Sequence, residues 1–103
     1  MVNVIIYLKK EYQAEELVKH LLSEKLIAFA SIDENNISYK MHQGKMHKEV
    51  YSIITAKSKS LLITEIIKAV EDKGYGEVLI NSIPIVGSNK IFDDLIKENT
   101  KLI

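Results

Sequence analysis

The sequence predicts an α+β domain on the ferredoxin-like plan, strand–helix–strand–strand–helix–strand (βαββαβ), with a C-terminal helix. Three observations predict it. Between Ser23 and Lys57 two long strand-like runs meet at one tight turn, Gln43-Gly44. Amphipathic helical stripes lie on either side of that hairpin, and a strand-like run stands outside each helix. This order is a split βαβ unit repeated twice, an architecture that hosts many functions and names none.

Val2 to Leu8 (VNVIIYL) is a short, nearly continuous apolar run, expected to be a central strand buried on both faces. From Glu11 to Leu26 the residues Ala14, Leu17, Val18, Leu21 and Leu22 recur at three and four, an amphipathic helix with Glu15 and Lys19 paired on its wet side. Ile27 to Asp33 returns to β composition. Asp33-Glu34-Asn35-Asn36 reads as a loop or bulge before Ile37 to Met41 resumes the strand. Beyond Gln43-Gly44, Lys45 to Lys57 runs extended, with branched and aromatic residues at its centre. Ser58 or Ser60 is the expected cap of a second helix striped by Leu62, Ile63, Ile66, Ile67 and Val70. Gly74 and Gly76 end it, where positive φ is cheap. Glu77 to Ile85 is the fourth strand, and Pro84, lacking an N–H, marks an edge or a strand terminus. Ser88 or Asn89 is the expected cap of a last helix reaching Glu98.

The bulk numbers bound the answer. With 103 residues the chain is a single domain, 1–103, with one core. Acidic and basic residues balance at 14 each, so nucleic acid is not an expected partner. Every base is lysine, which removes bidentate guanidinium recognition of phosphate. With no cysteine, disulfides and thiolate metal sites are excluded. No apolar run approaches the roughly 20 residues of a membrane span, and the start lacks a signal-peptide layout; no membrane is expected, and the expected location is the cytoplasm. The second and third strands are long for so small a domain, and a projecting two-stranded ribbon is marginal in water. Pairing with copies of the same chain is the expected remedy.

Several local patterns, taken in order, resemble the divalent-cation tolerance (CutA) family. Ser23-Glu24-Lys25-Leu26-Ile27-Ala28 resembles the family's E-K/R-L-A-A exit into the second strand. Ile37-Ser38-Tyr39-Lys40 resembles its S-x-Y-x-W run, with the serine one place closer. Gly44-Lys45 matches its hairpin G-K and Glu49 the acid that follows, while Ile54-Thr55-Ala56-Lys57 resembles a strand ending in I-K-T. Tyr75 sits at the tyrosine of its H-P-Y-E, and Ile83-Pro84-Ile85 with Asn89 correspond to L-P-I…G-N. Each piece is weak alone; the order and spacing over about 75 residues carry the resemblance. The chain departs from the pattern at its most reactive positions. The family's cysteine is here Phe29 or Ala30, its tryptophans are Met41 and Leu95, and the histidine, proline and glutamate of H-P-Y-E are Lys73, Gly74 and Gly76. The resemblance implies a homotrimer with interlocking sheets. It also implies a non-enzymatic role in tolerance or binding of copper or other divalent metals.

Two sets of residues are candidate sites. If Gln43-Gly44 is a two-residue turn, His42 pairs with Lys45 and Lys40 with His47. Both imidazoles then lie diagonally on one side, about 7 Å apart or somewhat less, with Met41 and Met46 a direct pair on the other. Imidazole suits copper, zinc or nickel and thioether suits Cu(I), so a divalent metal such as copper is the candidate cofactor; the alternative is a solvated tip. The second set is Tyr39, Glu49, Lys57 and Tyr75, an acid, an ammonium and two phenols that a trimer would gather in an intersubunit cleft for a small polar ligand. Its alternative is structural ion pairing and packed tyrosines. There is no phosphate loop and no nucleophile elbow. Nitrogen-regulatory PII-type ligand sensors share plan and trimer, but their long mobile loop is replaced here by the tight Gln43-Gly44 turn.

Overall fold

The computed structural model describes residues 1–102. Its centre is the strand Val2–Lys9 (β1), flanked by Lys45–Ser58 (β3) on one side and Leu79–Pro84 (β4) on the other. Phe29–His42 (β2) adds outside β3, so the sheet runs β2-β3-β1-β4 with every neighbour antiparallel. The helices are Ala14–Ser23 (α1), Ile63–Glu71 (α2) and Lys90–Asn99 (α3). This is the βαββαβ plan with its C-terminal helix and long hairpin.

Both α1 and α2 pack on one face of the sheet, which decides where the core sits. Val4, Ile6 and Leu8 of β1 and Ile54 and Ala56 of β3 meet Leu17 and Leu21 of α1 and Ile66 and Val70 of α2, all fully buried. Each such side chain contributes about 1.5–3 kcal/mol by leaving water. The opposite face is covered by neither helix. There Ile5, Tyr7, Ile53 and Thr55 are half-buried and Leu79 and Ile83 exposed. The expectation that β1 is buried on both faces is therefore corrected: its residues alternate between buried and half-buried. Ile5 makes the run look continuous in sequence, but it belongs to the open face.

Local rules account for the remaining boundaries. Lys9 to Tyr12 form a turn, closed by the Tyr12 N–H donating to the Lys9 carbonyl, so α1 begins at Ala14 rather than Glu11. Neither Ser58 nor Ser60 caps α2, which is entered through one 3-10 turn, Ser60–Leu62. Ser58 ends β3 on the core face, and its hydroxyl donates to the Leu26 carbonyl at 2.5 Å. Asn89 does cap α3, accepting from the Phe92 N–H at 3.0 Å. Pro84 closes β4, an edge strand, where no ladder donor is missed.

Between Asp33 and Asn36 β2 advances three residues while β3 advances two, from Ile53 to Tyr51. The extra residue is a β-bulge, with Asn35 at φ 59°. Lys9↔Tyr51 is the last pair that β3 makes with β1, and from Ile37↔Val50 to His42↔Lys45 the ladder is one of β2 and β3 alone among the described residues. At about 3.4 Å per residue, Lys45 to Val50 carry this ribbon some 20 Å outward. Gln43 and Gly44 close it with φ 49° and 76°, the left-handed pair that a type I′ hairpin turn requires.

Candidate functional site

The tip register follows from the turn. His42 lies opposite Lys45, Lys40 opposite His47 and Met41 opposite Met46. Strand alternation then puts the two imidazoles diagonally on one face, with ring centroids 5.8 Å apart and planes at 73°. Lys40 and Lys45 share that face, and so do Ser38 and Glu49 further down the ribbon. The two thioethers occupy the other face, 67% and 71% exposed, beside Tyr39 in a shallow depression. One metal ion cannot therefore take both the histidine pair and the methionine pair of a single chain.

The fit to a metal ion follows from the donor set. Two imidazole nitrogens make half of a four-coordinate site, and an ammonium has no lone pair to offer. Among the described residues no group of three His, Cys, Asp or Glu side chains gathers to hold an ion. One chain thus offers two imidazoles with an open approach, short of the four ligands that a closed site needs.

The second set is spread along the chain. Glu49 and Lys57 are eight residues apart on β3, about 27 Å for an extended strand. Tyr39 faces away from Glu49, because its cross-strand partner is Lys48. Lys57 donates to the Asn3 side-chain oxygen and lines a cavity of about 400 Å³ with Ile85, Asn89 and Phe92. Tyr75 packs on Tyr12 with centroids 4.8 Å apart, and burial, with a smaller push from Glu16, raises its phenol above the ordinary value. One chain brings none of these four side chains together.

Sequence reasoning passed over a polar cavity at the N-terminus of α1, lined by Lys10, Glu34, Asn35 and Ser52 among others. Its signals were present but read separately: Lys9-Lys10 as a solvated face, and Asp33 to Asn36 only as a bulge.

Comparison with known proteins places these features in context. A family model described as CutA1 divalent ion tolerance protein matches residues 2–99. No curated protein sequence matches the chain. Among solved structures, a variant of CutA1 from Pyrococcus horikoshii OT3 is 25% identical with a TM-score of 0.88, covering 99% of this chain and 100% of that one. The periplasmic divalent cation tolerance protein CutA from Archaeoglobus fulgidus is 28% identical with a TM-score of 0.86, over 98% and 100%. CutA1 from Oryza sativa, 21% identical with a TM-score of 0.89 over 97% and 93%, matches in fold alone.

Proposed function

The chain belongs to the CutA1 divalent ion tolerance family, and from that premise we propose that it serves cation tolerance as a non-enzymatic cytoplasmic homotrimer that binds copper through His42 and His47. The observation that carries this reading is the imidazole pair, 5.8 Å apart on one face of a ribbon that projects from the sheet. Imidazole is a borderline ligand that favours Cu(II) over the other common divalent ions. Met41 and Met46 form a separate thioether pair suited to Cu(I) on the reverse face. The trimer reading rests on surface that a lone chain leaves uncovered. Ile37, Tyr39, Met41 and Met46 stand exposed on the ribbon, and Phe29, Leu79 and Ile83 on the open sheet face. Docking each ribbon on a neighbouring copy buries both.

Native mass spectrometry with added Cu(II), Zn(II) and Cu(I) tests the proposal. The expected result is a trimer carrying stoichiometric copper, with metal lost and trimer kept when His42→Ala and His47→Ala are combined. Unchanged copper loading in that double variant overturns the site, and a monomer overturns the assembly.

A second reading, a PII-like sensor of a small polar ligand, is favoured by the cavity beside Lys57. A neighbouring copy would complete it with residues from the set Tyr39, Glu49, Lys57 and Tyr75. Here Glu49→Ala and Lys57→Ala each abolish ligand-induced stabilisation, and a thermal shift that survives both rules it out.

A further inference from the structure

The cavity at the start of α1 has about 330 Å³ of space, at the small end of the roughly 300–1,000 Å³ of ligand pockets. Three independent features meet there. The first is a helix N-terminus left open. Gln13 occupies the cap position in an extended conformation without a side-chain bond, and the first helical bond is the Leu17 N–H to the Gln13 carbonyl. The N–H groups of Ala14, Glu15 and Glu16 therefore lack helical acceptors, at the positive end of a 10-residue helix.

The second feature is Ser52. It lies on the core face of β3, 5% exposed, opposite Leu8, and its hydroxyl has no hydrogen-bond partner among the described residues. Among the described residues every side-chain polar atom that is fully sealed from solvent does have a partner, so the Ser52 hydroxyl keeps some contact with solvent, on the side of the cavity it lines. A nearly buried hydroxyl without a protein partner leaves a donor and an acceptor facing that space, open to water or to a ligand.

The third feature is charge of both signs. Glu15 is committed to Lys19 at 3.1 Å. That leaves Lys10 and Glu34 as the lining charges without an ion-pair partner among the described residues. Glu34 and Asn35 reach this wall because the bulge, with Asn35 at φ 59°, inserts one extra residue into β2.

A simple anion would meet the helix end and Lys10 favourably but face the Glu34 carboxylate. A simple cation would meet the reverse. A small molecule with a carboxylate at one end and an ammonium at the other satisfies every group. Its carboxylate accepts from the open α1 amides, Lys10 and Ser52, and its ammonium donates to Glu34. We propose that this cavity binds a free α-amino acid, with Tyr12 as its aromatic wall. The site is distinct from the ribbon tip and does not depend on metal binding there.

The test uses the full chain in its native assembly. Pools of the standard amino acids at millimolar concentration are screened by saturation-transfer NMR, and the strongest is followed by amide-resolved titration. Expected are saturable shifts at Glu15, Glu16, Asn35 and Ser52. The N-acetyl derivative and the matching amine without its carboxylate should bind at least about tenfold more weakly, a change of about 1.4 kcal/mol. Glu34→Gln, a surface change that leaves the core intact, weakens binding to the same degree, while the double alanine variant of His42 and His47 binds unchanged. Silence from every pool overturns the proposal. So does equal affinity for the N-acetyl derivative, which marks a plain anion site, or unchanged affinity in Glu34→Gln.

Discussion

Ile54 and Met46 belong to the same strand and point to the same side of it, yet Ile54 is fully buried and Met46 is 71% exposed. What separates them is what lies beneath. Under Ile54 run α1 and α2, and β1 pairs alongside; under Met46 there is only solvent, and β2 is the sole neighbour. The body of the domain is thus held by burial in three dimensions. The ribbon is held by a cross-strand ladder and one tight turn. The difference teaches that stability and chemistry are segregated along β3. Its C-terminal half builds the core, and its N-terminal half carries the imidazole and thioether pairs.

The largest effect that sharpens this contrast belongs to the body. Leu17→Ala removes a fully buried α1 side chain and should cost about 2–5 kcal/mol, measured by urea unfolding; a loss below 1 kcal/mol would mean the core is not shared as described. Next, Ile37→Lys combined with Met46→Lys changes two exposed side chains on one face of the ribbon. The isolated fold should survive, by circular dichroism, while association measured by sedimentation weakens by about a hundredfold or more, since each apolar side chain buried at an interface contributes about 1.5–3 kcal/mol. Persistence of the full assembly mass would break the comparison, for the ribbon would then need no partner. Asn89→Ala removes the α3 cap and should cost about 1 kcal/mol of unfolding stability without touching association.

The smallest effect is a pH slope. The folded Tyr75 phenol holds its proton to higher pH than the unfolded chain does, mainly because it is partly buried. Above about pH 10, the ordinary tyrosine value, the unfolded state therefore sheds its proton first, and stability falls as pH rises. Tyr75→Phe should flatten that alkaline decline and leave stability at neutral pH nearly unchanged, as read from denaturation midpoints across the range.

The ribbon was the most legible part of the molecule from sequence, because one turn sets everything beyond it. Gln43-Gly44 determines which residue faces which, and a period of two does the rest. The distribution of burial across β1 was less legible. Asn3 and Tyr7 announce a half-covered face, but Ile5 between them completes an apolar run that imitates a strand covered on both sides. Serine at the end of β3 carried an ambiguous signal, since a hydroxyl can cap the following helix or satisfy a buried carbonyl, and only the position of Leu26 decides for the second. The cavity at α1 joins Lys10, Glu34 and Ser52 from three separate stretches of chain, a convergence that no local spacing encodes. The same limit applies to Tyr39, Glu49, Lys57 and Tyr75, whose proposed meeting needs a second copy.

The position of β1 has a further consequence for how the chain is made. Of the four strands described, the one that leaves the ribosome first is the one that ends in the middle of the sheet. Its neighbour on one side begins pairing at Tyr51, and on the other side at Leu79. The chain must therefore emerge as far as Tyr51 before this apolar strand begins its first ladder, and as far as Leu79 before its second edge begins to close. Because synthesis is far slower than hairpin formation, the ribbon from Ile37↔Val50 to His42↔Lys45 can close while β1 still waits. Pairing of β3 with the waiting strand then becomes possible as the chain lengthens beyond Tyr51. Until then β1 is an apolar strand with both edges unpaired, open to whatever else can pair with it.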